Sequence, residues 1–160
     1  MSSALAPVDS DPYGEGAVLR KVAVMDLEHA RAYVRNNHHA VMATTRRDGR
    51  PQLSPVACAV DDDGYVVVST RETAYKVKNL TRDPRVSLCV FPEGFFGEWV
   101  QVDGTATIVH LPEALDGLVD YYRRVAGEHP DWDDYRNAMA REQRVLVRIE
   151  LERAGPRKSG

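Results

Sequence analysis

Between residues 39 and 110 the chain alternates short β-branched runs with tight turn signals, and that pattern leaves few folds open. Residues 39–45 read as a strand, followed at Asp48-Gly49 by a hairpin signal, because the turns that suit a twisted strand pair need positive φ. Residues 53–60 then pair back, Asp61-Asp62-Asp63-Gly64 makes the next turn, and residues 65–70 form a third strand. Residues 86–91 and 99–110 add two more, split by the loop that starts at Pro92. Residues 145–151 close the set, with Val145, Val147 and Ile149 on one face. Six strands joined mostly by hairpins predict a mainly β protein built as a small antiparallel barrel.

Helices fill the gaps. Asp26 caps a helix over 27–36 whose Leu27, Ala30, Tyr33 and Val34 share a face. Thr70 or Thr73 caps a short helix over 74–80, which Asp83-Pro84 stops. Pro112 opens a helix that continues to residue 125 and ends at Gly127, and residues 132–143 form another. Residues 1–20 are rich in Ser, Asp, Pro and Gly without periodicity, which predicts a mobile arm. The folded domain is expected over residues 21–152, with 153–160 as a C-terminal tail.

The 160 residues, 43% of them hydrophobic, suit one domain with a real core. A formal net charge of -3 argues against a general nucleic-acid binder, which relies on excess cations. Yet Arg46, Arg47, Arg50, Arg71, Lys76, Lys78, Arg82 and Arg85 cluster in one part of the chain, as a patch for a small anion or as a solvated face. Cys58 and Cys89 stand in apolar strand contexts and read as core residues. His38 and His39 alternate across a strand, which is poor geometry for one metal. No signal peptide and no run of ~20 apolar residues is visible, so a cytoplasmic protein without a membrane span is expected.

The strongest local cluster is Ser69, Thr70, Lys76, Lys78 and Asn79. Strand-end hydroxyls and the first amides of a helix donate to phosphate oxygens, and a lysine neutralises the remaining charge. The same residues also serve as ordinary caps and surface lysines. Gln52-Leu53-Ser54-Pro55 alternates polar and apolar side chains on the neighbouring strand, as a wall for a flat heterocycle or as a half-exposed strand. His129, in Gly127-Glu128-His129, is a candidate proton shuttle or a plain loop cap.

These pieces, in this order, resemble the split-barrel flavin-binding family related to pyridoxamine 5'-phosphate oxidase, and within it the actinobacterial oxidoreductases that use the deazaflavin coenzyme F420. The resemblance rests on TTRRDGRPQLSPV (44–56), KVKNLTRDPRVSLCV (76–90), GEWVQVDGTATI (97–108) and YYRRVAGEHPDWDDYRNAM (121–139), and spans roughly residues 25–150. It implies a six-stranded split barrel that forms a homodimer with two cofactor sites at the interface. Ser69, Thr70 and Lys76 would hold the cofactor phosphate, completed by Lys78 and Asn79. Gln52, Leu53, Ser54, Pro55 and Val56 would line the ring, neighbouring arginines would meet the polyglutamate tail, and Trp99 would reach the ring of the partner subunit. Tyr75 and Ala74 stand where relatives carry arginine, so Arg71 is a candidate substitute. The implied activity is hydride transfer between coenzyme F420 and a small conjugated substrate. No catalytic side chain is required, with His129 or Tyr75 as proton donors. Use of flavin mononucleotide (FMN) by an oxidase or reductase of the same fold, and a non-catalytic F420 carrier, are the alternatives.

Overall fold

The computed structural model describes residues 26–159, and the side chains through Gly155. The arm expected over residues 1–20 lies outside the described residues. Asp26 caps α1 (Leu27–Asn36) as expected, its carboxylate accepting the Glu28 amide at 3.0 Å. The strands are β1 (His39–Thr45), β2 (Pro51–Ala57), β3 (Ala59–Val60), β4 (Val66–Arg71), β5 (Arg85–Phe91), β6 (Glu98–Val109) and β7 (Arg144–Ser159). Three further helices are α2 (Tyr75–Arg82), α3 (Leu115–Ala126) and α4 (Trp132–Arg141).

All strands pair antiparallel in one seven-stranded sheet, ordered β2-β1-β5-β6-β7-β4-β3. β2 and β3 are its two opposite edges, yet only Cys58 separates them in the chain. The sheet must therefore curl until its edges meet. Six strands were expected, and the seventh arises at this seam. The Cys58 amide donates to the His38 carbonyl at 2.8 Å, and His38 Nδ1 lies 2.8 Å from the Cys58 carbonyl. Cys58 thus leaves the β1 ladder for the residue before it, and the single strand read over 53–60 becomes two. His38 is occupied in this clasp.

Two apolar layers follow from strand alternation. Met42, Val66, Val68, Leu88, Val90, Val100, Val102, Val147 and Ile149 fill the barrel, closed at one side by Ala30 and Val34 of α1. On the outside Val67 and Leu146 pack against Leu118, Val119, Tyr135 and Met139 of α3 and α4. β4 and β7 are buried on both faces here, which is why Val66-Val67-Val68 is an unbroken apolar run. β7 runs past the expected end at residue 151 and pairs with β6 back to Glu98, through two register shifts.

Two turns differ from expectation. The β1–β2 hairpin loops from Arg46 to Arg50 with only Gly49 at positive φ (86°), so it is longer than a two-residue turn and carries Arg46 and Arg47 on its rim. Helix α3 begins at Leu115, not Pro112, after a turn over 111–114.

Candidate functional site

Helix α2 organises the site. Val77 and Leu80 bury one side of it against the barrel. Tyr75, Lys78, Asn79 and Arg82 recur at the i, i+3, i+4, i+7 spacing and share another side. Together with Arg46, Arg47, Gln52 and Thr81 they line an open groove of about 860 Å³. Four of the lining residues are cations and none is acidic.

Asn79 is the buried hub of this groove. Its Nδ2 donates to Thr44 Oγ1 at 3.0 Å, and that hydroxyl lies 3.3 Å from Gln52 Oε1 as donor. Arg82 Nη2 donates to Asn79 Oδ1 at 3.2 Å and also to the Thr45 carbonyl. Asn79, expected at a phosphate, thus has its amide engaged in fixing Gln52 and Arg82. Lys76 lies about 100° around the helix from Tyr75. It does not line the groove and belongs to a second cluster.

That cluster sits where β4 ends. Ser69 and Thr70 pair with Leu146 and Val145 of β7. Thr70 is only 7% exposed and shares the barrel-facing side of β4 with Val66 and Val68, whereas Ser69 shares the opposite face with Val67. Neither Thr70 nor Thr73 caps α2: the N-cap is Ala74, with no side-chain hydrogen bond, because Thr70 is committed to the sheet. The first amides of α2 therefore have no side-chain acceptor. Burial, and then the charge of Arg144, hold the half-buried Lys76 ammonium below the usual lysine range. Arg144 opens β7 directly opposite Arg71. It was not legible as a site residue, because only the β4–β7 pairing brings it here.

On β2, Gln52, Ser54 and Val56 are half-buried on the side facing the barrel, while Leu53 and Pro55 point outward. The five residues expected along one ring therefore divide between two faces. Ser54 Oγ is buried without a hydrogen-bond partner. The outward face continues through the register pairs Ala43↔Leu53, Val41↔Pro55 and Val41↔Cys89 to Phe91. Leu53 is 60% exposed there, and Phe95 and Phe96 in the following loop are 63% and 78% exposed. Trp99, on β6 and three strands from β2 in the sheet order, does not line the groove of its own chain.

The sequence pattern of pyridoxamine 5'-phosphate oxidase matches residues 27–157. The chain belongs to that family. A conserved hypothetical protein from Mycobacterium tuberculosis is similar at 30% identity, with 82% of this chain and 84% of that one covered and a TM-score of 0.67. A protein described as an F420 reductase shares the fold at 18% identity, covering 79% of this chain and 95% of its own, with a TM-score of 0.62. HutZ, a heme storage protein from Vibrio cholerae, does so at 19% identity, covering 85% and 98%, with a TM-score of 0.63.

In this member of the family the other expected residues take structural positions. His129 Nδ1 lies 2.9 Å from the Asp131 amide, which donates to it, and its ring sits among Tyr122, Trp132 and Tyr135. It does not line the groove. Burial pushes the Cys58 thiol up to about 12, and raises the half-buried Cys89 thiol as well. Among the described residues no group of three or more His, Cys, Asp or Glu side chains is placed to hold a metal ion, and no helix is long and apolar enough to cross a membrane.

Proposed function

We propose that this protein is a homodimeric oxidoreductase that uses coenzyme F420 to transfer a hydride to or from a small conjugated organic substrate. One observation carries the reading. Helix α2 carries Lys76 toward the strand-end cluster and Tyr75, Lys78, Asn79 and Arg82 toward the cation-lined groove, an arrangement that supports two anion sites in series. A flavin with one terminal phosphate needs only the first, whereas a deazaflavin with a phosphate and a carboxylate tail uses both. The groove lining of Arg46, Arg47, Lys78 and Arg82 without an acid suits such a tail.

The residues present fit that cofactor. The Ser69 hydroxyl at the end of β4, the uncapped start of α2 and the crowded Lys76 are suited to phosphate oxygens. The orphaned Ser54 hydroxyl, with Gln52 and Val56 on the same face of β2, suits the polar edge and flat face of a ring. When bound, the deazaflavin supplies hydride chemistry from its ring carbon. The chain's own residues then bind, orient and exclude water. Tyr75, exposed on the groove, is the phenol among its lining residues and would hold a proton for a substrate there.

The homodimer belongs to the same reading. The outward face of β2, β1 and β5, with Leu53, Pro55, Val41, Ala43, Cys89 and Phe91, is an apolar sheet face that a second copy would cover. Trp99 at the start of β6 would then approach the partner's ring.

Paired fluorescence titrations with coenzyme F420 and FMN test the proposal. Micromolar or tighter binding of the deazaflavin alone, followed by turnover with an electron-poor acceptor, is the expected result. Preference for FMN moves the protein to the flavin-dependent oxidases and reductases of the fold, and F420 binding without turnover makes it a carrier.

A further inference from the structure

We propose that Arg144 is a phosphate-binding residue, supplying from the start of β7 the second cation of the strand-end site. This rests on the reading above that a phosphate-bearing ring cofactor occupies that end of β4. The N-cap of α2 is Ala74, which offers no side-chain hydrogen bond, and Lys76 is the cation that stands beside it in the first turn.

Three observations converge on Arg144. It stands directly across the β4–β7 ladder from Arg71, and like charges opposed in register destabilise a sheet unless something neutralises them. It is half-buried, and within the described residues only its Nε is hydrogen-bonded, to Glu142 Oε2 at 2.7 Å, which leaves the two terminal amino groups of a bidentate fork unused. Its charge reaches the Lys76 ammonium and the phenol of Tyr121, and Tyr121 in turn lies against the backbone of Ser69. Arg144, Lys76, Ser69 and the start of α2 are therefore one neighbourhood. Glu142 is the one carboxylate bonded to this arginine, and it offsets only part of the charge of Arg71, Lys76 and Arg144.

The test separates phosphate recognition from fold support by using ligand pairs that differ in the phosphate: coenzyme F420 with its phosphate-free ring fragment, and FMN with riboflavin. Arg144→Gln is expected to weaken the phosphate-bearing member of whichever pair binds by roughly 10- to 100-fold and to leave the phosphate-free member unchanged. Arg144→Lys should keep part of the affinity. Glu142→Gln breaks the same ion pair while freeing the guanidinium, so it should hold or raise affinity for the phosphate-bearing ligand. Equal losses in Arg144→Gln and Glu142→Gln, or equal losses for both members of a pair, would overturn the assignment in favour of a purely structural arginine. Unchanged phosphate-ligand affinity in Arg144→Gln, with the wild type binding well, overturns it alone. FMN binding without F420 binding overturns the proposed function and leaves Arg144 to be judged on FMN and riboflavin. Binding of neither phosphate compound overturns both.

Discussion

Lys76 is kept in a place that disfavours its own charge, by burial first and by Arg144 second. Its folded pKa lies below the unfolded one, so the folded chain binds fewer protons than the unfolded chain in that window. By linkage this costs stability at neutral pH, and the cost fades as pH rises through the lowered pKa. A bound phosphate reverses the sign by favouring the ammonium. Lys76→Ala should therefore weaken cofactor affinity by about 1.5–3 kcal/mol, read by fluorescence titration, while the ligand-free protein melts no lower than wild type. Ser54 obeys the same logic. Its buried hydroxyl lacks a partner, so Ser54→Ala should stabilise the ligand-free protein by about 1 kcal/mol in urea unfolding and weaken ring binding. Loss of stability in that variant would show that the hydroxyl is satisfied inside the protein.

Between elements, two glycines mark approaches of different stiffness. A Cβ on Gly104, at the β6–β7 register shift, would stand 2.2 Å from the Glu150 carbonyl oxygen and 2.9 Å from Ile149 Cγ2. Backbone cannot step aside, so Gly104→Ala should cost about 3 kcal/mol or more in urea unfolding. On Gly117 the clash is with Leu146 Cδ2 at 2.6 Å, the far end of a flexible side chain. The helix preference of alanine, about 1 kcal/mol, offsets much of that strain, so Gly117→Ala should be nearly neutral. The same division between local and distant explains what was legible in the sequence. Helix α1 and strands β1 and β5 follow from local alternation and caps, and they fall where the pattern places them. The split at Cys58 depends on a clasp with His38 that no local pattern encodes. Ala74 as the N-cap of α2 depends on Thr70 being held by β7. Lys78, expected with the phosphate cluster, and Gln52, expected along the ring, both line the groove. Spacing places Asn79 beside a phosphate but does not reveal that Thr44 and Arg82 hold its amide. Arg144 needs the strand order itself.

For the whole molecule, the apolar outward face and the buried seam make separate predictions. Leu53→Asp places a charge on the β2 edge of that face and should convert the proposed homodimer to a monomer by light scattering, with the barrel's far-UV spectrum retained. The seam responds to alkali. Cys58 lies buried between β2 and β3, Tyr121 donates its hydroxyl to the Ala57 carbonyl at 2.9 Å, and Tyr135 donates to the Leu118 carbonyl at 2.8 Å. Burial is the first cause that pushes each of the three up to about 12. The unfolded thiol titrates near 9 and the phenols near 10. Each folded pKa exceeds its unfolded value, so each contribution is whole below the unfolded pKa and is lost as pH rises toward the folded one. Thermal melting should stay level up to about pH 9 and then fall, the thiol first and the phenols next. Lys76 opposes this trend below its ordinary value of 10.5, but it is one group against three. Cys58→Ala removes the earliest titration and should move the onset to about pH 10, with a lower melting temperature at neutral pH from the lost packing. An onset that stays near pH 9 in that variant would place the first alkaline event outside the seam.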